Sequence, residues 1–364
     1  MFIKKETMLN FAVGPVMPFD ETRRLGSEPI PYFRTDEFSK MMFETERLFL
    51  KFLNAPMNSK AVFLTGSGTA SMEASIINTI RKEDKILVVN GGSFGKRFVE
   101  ILDVYDFNYS EIILEPGEPL TAEELTPFEN SGFTVFVINM HETSTGVLYD
   151  MGLVSEFCKR NHLFLIVDAI SCFLTDWIDM EAFNIDIVIS SSQKALSCPP
   201  GLSLIALSPV ALKRIQNNDN KCYYFDLKKA LKDMERGQTP FTPAVGILIQ
   251  IHNRFLSINK NGGIAGEIER VKNIATYFRE KIAKFPFSFF SKSMSNAVTS
   301  LQPLKGSAYN LFKILKDDYG IWICPNGGLL KEKVFRVGHM GNITFQDIDQ
   351  LINAFDDLSR RGLL

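Results

Sequence analysis

The chain has 364 residues, of which 45% are hydrophobic and 23% are charged, so it is long enough to form more than one packed core. Its 40 Lys and Arg residues nearly balance its 42 Asp and Glu residues, so no general charge would hold nucleic acid or an anionic membrane surface. No apolar stretch approaches the roughly 20 residues of a membrane span and the first residues lack a secretory signal, so we expect a cytoplasmic protein with no membrane or nucleic-acid partner.

Short apolar segments alternate with longer amphipathic segments, a pattern typical of strands joined by helices in a mostly parallel sheet. In chain order, the pattern predicts strands over 61–65, 85–89, 134–140, 163–169 and 186–191, and helices over 70–80, 96–105 and 154–161. Strands as apolar as LFLIV are expected where helices cover both faces of a sheet. We therefore predict an α/β fold with a mostly parallel central sheet and helices on both faces.

The last part of the chain has a different pattern. The segment 243–263 predicts a long helix ending at Gly262 and Gly263, followed by another helix, short strands and a terminal helix. This change predicts a large domain over 1–258 and a smaller α+β domain over 259–364. Five cysteines without a C-x-x-C pair and only four histidines argue against disulfide or zinc frameworks, so we expect no metal.

Polar residues directly follow several predicted strands, and ligands of open α/β sheets bind at those strand ends. The loop after the first strand contains Ser67, Gly68 and Thr69. Glycine lets the backbone approach an anion closely, while the helix start and the hydroxyl groups offer hydrogen-bond donors. An ordinary N-cap turn has the same composition, and the loop matches neither the dinucleotide fingerprint nor the P-loop. Phosphate binding and helix capping both remain open for this loop.

Asp168 and Lys194 form the second candidate pair. Asp168 follows five apolar residues, and a buried carboxylate must be paired or hydrogen-bonded. Lys194 lies 26 residues further on (194 − 168), which we interpret as one strand–helix–strand step to the same sheet edge. Burial lowers the pKa of an amine and makes it a nucleophile toward an aldehyde. Capping for the aspartate and surface exposure for the lysine are the ordinary alternatives.

A phosphate loop, a buried carboxylate and a nucleophilic lysine are together what pyridoxal 5′-phosphate requires. The lysine forms the Schiff base, the carboxylate keeps the pyridine nitrogen protonated, and the loop anchors the phosphate. The chain also resembles the class V aminotransferases of pyridoxal-phosphate fold type I, which include serine–pyruvate, alanine–glyoxylate and 2-aminoethylphosphonate–pyruvate transaminases. The resemblance runs through seven ordered segments: GSGTASMEA, NGGSFGKR, HETSTGV, VDAISCF, SSQKALSCPPG, TPFTPAVG and FRVGHMGNIT.

The resemblance implies a role for each matching residue. The cofactor would be contacted by Ser67, Gly68, Thr69, Phe94, Thr143, Asp168, Ile170, Gln193 and Lys194, and, from the other subunit of a homodimer, by Thr239 and Thr242. Phe94 would stack on the pyridine ring and Ile170 would lie under it, while Lys194 and Asp168 would be catalytic. Arg336 would bind the substrate α-carboxylate, with Gly14 and Arg34 nearby.

The chain departs from the family pattern at a few positions. Val13 stands where relatives often have the first proline of P-G-P, Phe33 stands where they have histidine, and Cys198 stands where they have a small residue. These replacements bear on substrate choice. We expect His141 and His339 to be structural and the phenylalanines other than Phe94 to fill cores.

The sequence therefore predicts a homodimeric transaminase with a ping-pong cycle. Its donor would be alanine, serine or aspartate, and its acceptor a 2-oxo acid such as glyoxylate or pyruvate. The alternatives are 2-aminoethylphosphonate–pyruvate transamination, a lyase or desulfurase on the same fold, and a catalytically silent binding protein. A desulfurase needs a mobile cysteine near the substrate, and Cys324, the one cysteine in the last third of the chain, falls inside a predicted strand.

Overall fold

The computed structural model describes residues 8–219 and 222–364. The strands, in chain order, are β1 (Leu9–Phe11), β2 (Lys60–Thr65), β3 (Ile86–Asn90), β4 (Tyr109–Ile113), β5 (Val135–Asn139), β6 (His141–Glu142), β7 (Val147–Leu148), β8 (Phe164–Asp168), β9 (Ile187–Ser191), β10 (Leu202–Leu207), β11 (Phe287–Phe289), β12 (Val298–Pro303), β13 (Ile321–Pro325) and β14 (Phe335–Gly338).

The helices, in chain order, are α1 (Asp20–Gly26), α2 (Asp36–Phe52), α3 (Gly68–Thr79), α4 (Ser93–Val104), α5 (Ala122–Leu125), α6 (Met151–Arg160), α7 (Pro209–Gln216), α8 (Leu227–Met234), α9 (Val245–Lys260), α10 (Gly263–Ile282), α11 (Ala308–Tyr319) and α12 (Phe345–Arg360). Among the described helices, none combines the length and the apolar character that crossing a membrane would require.

A mixed sheet forms the centre of the fold. Within the described residues, seven strands lie in the order β2-β10-β9-β8-β5-β3-β4. The five from β9 to β4 run parallel to one another, and β10 is antiparallel to both of its neighbours. Every residue of β5, β8 and β9 is buried, because helices cover both faces of the sheet. The predicted α/β fold is confirmed.

The strands and helices predicted by residue range in the first two thirds of the chain are confirmed, but all three of those helices begin earlier than expected, and strands β4 and β10 were not predicted. Helix α6 begins at Met151 because the Asp150 side chain accepts hydrogen bonds from the backbone N–H groups of Gly152 and Leu153. Helix α4 begins at Ser93, although its N-cap residue Gly92 has no side chain to cap it. The N–H groups of α4 must therefore find their acceptor on another part of the chain.

The connection between β8 and β9 contradicts the prediction. We expected a helix there, but residues 169–186 form a series of turns. Leu174 has a φ of +70°, in the left-handed region that a helix cannot accommodate. Asp179 accepts from the backbone N–H of Ala182 and from Asn54, so local polar side chains stabilise turns instead. The two strands are nevertheless adjacent and parallel.

A second sheet and a second hydrophobic core lie in the C-terminal part. The sheet has the order β1-β13-β14-β12-β11 within the described residues, and its core includes side chains of α10, α11 and α12. Strand β1 pairs in parallel with β13, so Phe11 packs in this core although it lies near the start of the chain. Helix α9 ends before Gly262 and Gly263, whose φ values are +93° and +67°. The domain division at 258/259 stays a prediction.

Many phenylalanines fill the core beside the central sheet. The Phe49 ring centroid lies 5.3 Å from that of Phe173 and 6.1 Å from that of Phe255, and Phe52 also contacts Phe255. Phe49 is fully buried, whereas Phe43 on the same helix α2 is 42% exposed. Helix α2 therefore carries two phenylalanines of the same chemistry in opposite environments.

We predict that Phe49→Ala lowers the free energy of unfolding by about 3–5 kcal/mol, because it removes buried aromatic surface and leaves a cavity. Phe43→Ala, the matched control in the same helix, should change it by no more than about 0.5–1 kcal/mol. Chemical denaturation of the two variants measures the difference. Equal losses would show that this aromatic cluster does not stabilise the core.

Candidate active site

The predicted site residues converge at the carboxyl ends of the central strands. The backbone register places Asp168 of β8 beside Asn139 of β5 on one side and beside Ile189 of β9 on the other. Lys194 follows β9 by three residues and is buried. Adjacent parallel strands therefore bring the aspartate and the lysine to the same sheet edge, as the sequence predicted.

The Lys194 amine is held by the N-terminal segment. Its Nζ donates a hydrogen bond to the Val13 carbonyl oxygen at 2.7 Å. The pKa of Lys194 is lowered to about 8, mainly by burial and secondarily by the positive charge of Arg336. Gly14 has a φ of +136°, and a Cβ atom there would lie 2.7 Å from Lys194 Cδ and 2.8 Å from Nζ. Glycine at this position therefore leaves room for the amine.

The Asp168 carboxyl group is also buried. Burial raises its pKa to about 7, and a hydrogen bond from the Ile170 backbone N–H to Oδ1, 2.7 Å long, opposes that rise. A cationic N–H group placed at this carboxyl would favour its ionised form. Asp168 thus fits the predicted partner of a protonated ring nitrogen.

The start of α3 offers an anion site. Ser67 is the N-cap residue, yet its side chain makes no capping hydrogen bond. A Cβ atom on Gly68 would overlap Ile170 Cδ1, so any other residue there would displace the end of the Ile170 side chain. Thr69 Oγ1 accepts from Arg97 Nη1 at 3.3 Å, which brings a guanidinium to the helix start.

Two buried polar atoms nearby have no hydrogen-bond partner in the described structure, Ser191 Oγ and Gln193 Oε1. Buried polar atoms are normally hydrogen-bonded, so partnerless ones indicate groups that a ligand can satisfy. The loop at 67–69, with its uncapped N–H groups and adjacent guanidinium, has the chemistry that a phosphate monoester requires.

Phe94 lies at the first turn of α4, above the amine. Its ring centroid is 5.9 Å from Lys194 Nζ and 4.8 Å from the Arg97 guanidinium carbon. This position suits the predicted stacking on an aromatic ring. Phe94 therefore faces the site rather than serving only as core.

Glu142, which the sequence patterns did not single out, fixes the start of α4. Its carboxylate is fully buried and accepts hydrogen bonds from the backbone N–H of Phe94 at 3.2 Å and of Gly95 at 2.9 Å. Asn139 Nδ2 at 3.0 Å and the Ser144 backbone N–H at 3.1 Å also donate to it. A carboxylate at a helix N-terminus is stabilised by free N–H groups and the helix dipole. The glycine N-cap and a glutamate inside HETSTGV were the signals available in the sequence.

A short chain of hydrogen bonds surrounds Thr143. Thr143 Oγ1 donates to Ser171 Oγ at 2.6 Å, and His141 Nδ1 lies 2.9 Å from the same Ser171 oxygen. Burial, and next the charge of Lys194, lower the pKa of His141 to about 3, so its imidazole is neutral. His339 is buried as well, contacts Thr299 Oγ1 at 2.8 Å, and has a lowered pKa because of burial. Both imidazole rings are therefore uncharged near neutral pH.

Arg336 of β14 reaches the site from the second sheet. It is buried, and its Nη1 donates to the Thr143 carbonyl oxygen and its Nη2 to the Pro325 carbonyl oxygen, each at 2.9 Å. Burial is the main cause that lowers its pKa. Nη2 also lies 3.3 Å from Cys324 Sγ, a neighbour that the sequence did not lead us to expect at this arginine.

The structure does not bring Thr239, Thr242 or Arg34 to the amine of the same chain. Thr239 Oγ1 donates to the Phe241 carbonyl oxygen at 2.7 Å, and Arg34 Nη1 donates to the Thr239 carbonyl oxygen at 3.0 Å. Thr242 is exposed. The ring centroid of Phe33, the replacement for histidine, lies 4.6 Å from the guanidinium carbon of Arg34. Thr239 and Thr242 line a crevice with Thr65, the last residue of β2, and their role stays a prediction, as does that of Arg34.

Comparison with known proteins identifies one family model and several similar chains. The family model described as aminotransferase class-V matches residues 32–324. A protein named soluble hydrogenase 42 kDa subunit, from Anabaena cylindrica, is 33% identical over 339 residues, covering 91% of this chain and 88% of that protein. Alanine–glyoxylate aminotransferase from Nostoc sp. superposes with a TM-score of 0.91 at 25% identity, over 99% of this chain and 97% of that chain. Aspartate aminotransferase of subgroup IV from Thermus thermophilus gives a TM-score of 0.89 at 25% identity, over 97% and 99%.

These matches confirm the predicted fold type I and imply pyridoxal 5′-phosphate as the cofactor. The uncapped start of α3, the partnerless oxygens and the buried Asp168 fit that group.

We predict that Glu142→Gln weakens pyridoxal 5′-phosphate binding about tenfold or more, because an amide turns N–H donors toward the N–H groups of α4 and displaces Phe94. Titration of the apoenzyme measures the dissociation constant. The control is Glu46→Gln, since Glu46 likewise accepts from a backbone N–H, that of Ala61 at 2.9 Å. If both variants lose only thermal stability and keep the same affinity, Glu142 does not position Phe94 for the cofactor.

The lowered pKa of Lys194 gives a pH prediction. Only the neutral amine attacks an aldehyde, so the rate at which apoenzyme captures pyridoxal 5′-phosphate should rise with a midpoint near pH 8, not near the ordinary value of 10.5. Arg336→Gln removes a positive charge that disfavours protonated Lys194, so the midpoint should move upward. Stopped-flow absorbance between about pH 6.5 and 10 measures it; a rate still rising steeply at the upper end in the unaltered protein would contradict this assignment.

Proposed function

The chain belongs to the aminotransferase class V family, and we propose that it transfers the amino group of a small amino acid to a 2-oxo acid through Lys194. The observation that carries this proposal is the burial of the Lys194 amine, the Asp168 carboxyl group and the Arg336 guanidinium in one site. An amine, an acid and an anion-binding group in that arrangement are what amino-group transfer with pyridoxal 5′-phosphate requires.

The residues at the sheet edge divide the work of holding the cofactor. Ser67, Gly68 and Thr69 would bind the phosphate, with Gln193 as a further contact. Phe94 and Ile170 would enclose the ring between them, Asp168 would pair with the ring nitrogen, and Thr143 would contact the ring side. When bound, pyridoxal phosphate draws electrons away from the substrate Cα and so acidifies its proton.

Lys194 has two successive tasks in this proposal. Its neutral amine would be the nucleophile that holds the cofactor through its aldehyde, and the amino donor would displace it. The freed amine would then take up the proton lost from the substrate Cα and return it on the far side of the amino nitrogen, at the former aldehyde carbon. A lowered pKa suits both tasks, because the group must be neutral to attack and basic enough to accept a proton.

Arg336 would orient the substrate by its carboxylate. A guanidinium is a planar and permanently charged donor, and burial strengthens its interaction with an anion. We propose alanine, serine or aspartate as donor and glyoxylate or pyruvate as acceptor. The names of the Nostoc and Thermus enzymes support alanine, aspartate and glyoxylate. Gly14, beside the amine, would leave room for the substrate, and the cycle would have two half-reactions.

We further propose a cytoplasmic homodimer with shared active sites. Thr239 and Thr242 of one subunit would reach the cofactor phosphate of the other, and Arg34 would hold that loop through the Thr239 carbonyl oxygen. The exposure of Thr242 supports this arrangement. So does Ile30, whose 68% exposure in a single chain leaves an apolar side chain uncovered near the same loop.

Half-reactions test the proposal. Holoenzyme mixed separately with alanine, serine, aspartate, cysteine or 2-aminoethylphosphonate should yield pyridoxamine 5′-phosphate with at least one of the three proposed donors. Lys194→Ala should slow that conversion about a thousandfold, because it removes the base. Borohydride reduction and peptide mass spectrometry should locate the cofactor on Lys194.

Other results of this experiment would identify a different function or a different cofactor lysine. Conversion with 2-aminoethylphosphonate alone would identify the alternative transaminase, and release of sulfide from cysteine would identify a desulfurase. Cofactor attached to another lysine would overturn the assignment of Lys194. No conversion with any donor would indicate a binding protein.

A further inference from the structure

Cys324 lies in the substrate site, although its strand position alone gave no reason to expect this. Strand β13 pairs with β14 so that Cys324 stands directly opposite Arg336. Its Sγ is 3.3 Å from Arg336 Nη2, and the residue is partly exposed. The 3.3 Å contact brings the sulfur to the guanidinium whose positive charge also acts on the Lys194 amine.

The arginine beside this thiol retains capacity for an anion. Arg336 is 8% exposed. Its Nη1 donates one hydrogen bond, to the Thr143 carbonyl oxygen, and its Nη2 donates to the Pro325 carbonyl oxygen and contacts Cys324 Sγ. Its Nε–H has no hydrogen-bond partner in the described structure. A buried guanidinium without a carboxylate partner attracts carboxylates strongly.

The other four cysteines lack this setting. Cys158, Cys172 and Cys198 are buried, and burial raises the pKa of each thiol. Cys222 is partly exposed, but it lies in a crevice with Tyr105 and Phe107, away from Arg336. The chain therefore contains its own controls: three occluded thiols and one accessible thiol outside the substrate site.

We propose that Cys324 is a modification site for 2-oxo acids that carry a leaving group at C3, which Arg336 binds by the carboxylate and presents to the thiol. Sulfur forms a bond to C3, the leaving group departs with its electron pair, and the thiol proton goes to solvent. The attached acid then occupies the place of the substrate. This inference rests on the proposed role of Arg336 as the carboxylate-binding group.

The modification has a consequence for regulation. Binding by Arg336 raises the local concentration of the electrophile at Cys324, so modification depends on the carboxylate and not on general thiol reactivity. An amino or 2-oxo acid substrate occupies the same guanidinium and protects the thiol. The enzyme would therefore be inactivated by electrophilic acids chiefly when its own substrates are scarce.

Competitive labelling of the holoenzyme tests the inference. Bromopyruvate and iodoacetamide are applied separately, and peptide mass spectrometry follows each cysteine over time. The labelling rate of each cysteine is divided by the rate at which the same reagent labels glutathione. With bromopyruvate this normalised rate should be about tenfold or more higher at Cys324 than at Cys222, whereas iodoacetamide should show no such preference. Pyruvate should slow labelling of Cys324 and leave Cys222 unchanged. Whatever activity Cys324→Ala has before treatment should be unchanged by bromopyruvate.

The outcomes separate this inference from the proposed function. Arg336→Gln should remove the preference for bromopyruvate; if that variant does not fold, protection by pyruvate in the unaltered protein decides the question. Equal normalised rates at Cys324 and Cys222, or no protection by pyruvate, overturn the inference even when the half-reaction succeeds. If bromopyruvate labels Cys324 selectively, pyruvate protects it, and no amino donor is converted, the inference is supported and the transaminase proposal fails.

Discussion

The burial of three ionisable groups without direct ion pairs among them is the constraint on which this site depends. In the described structure no salt bridge joins Lys194, Asp168 and Arg336, although all three are buried. Burial without a partner disfavours charge, which is why the pKa of Lys194 falls to about 8 and that of Asp168 rises to about 7. The protein thus buries an amine whose pKa of about 8 leaves part of it neutral near pH 7, beside a carboxyl group that has no ion-pair partner. A ligand that brings complementary charges would supply partners for both.

One hairpin, β6–β7, connects the parts of this site. Glu142 at its start holds the first turn of α4, and Thr143 beside it donates to Ser171 and accepts from Arg336. The same hairpin contacts the loop between β11 and β12 of the second sheet, since the Leu148 backbone N–H donates to the Ser293 carbonyl oxygen at 2.8 Å. Phe94, Thr143 and Arg336 are therefore positioned relative to one another by a few consecutive residues, and in the proposed function this would link the place of the cofactor ring to that of the substrate carboxylate.

Local sequence patterns were sufficient to predict five strands of the central sheet, but they missed β4 and β10 and failed where tertiary contacts decide. Asp168 and Lys194 were expected at one sheet edge because alternating strands and helices favour parallel strands, and the carboxyl ends of adjacent parallel strands lie side by side. The same pattern predicted a helix between β8 and β9, where side-chain hydrogen bonds and the positive φ of Leu174 produce turns. Glu142 was missed because it caps a helix 47 residues away in sequence, and Cys324 because its neighbour is set by strand register rather than by spacing.

The parallel pairing of β1 with β13 has a consequence for how the molecule matures. Residues 9–11 take their place beside residues 321–323, so the N-terminal strand has no partner until nearly the whole chain has been synthesised. Val13 and Gly14, which contact the Lys194 amine, follow that strand directly. Contacts between such distant parts of a chain form late, because closing a long loop costs entropy before it gains any contact. The amine therefore receives its carbonyl partner in one of the last steps of folding, and a ribosome-bound or C-terminally shortened chain has the cofactor loop without a finished site.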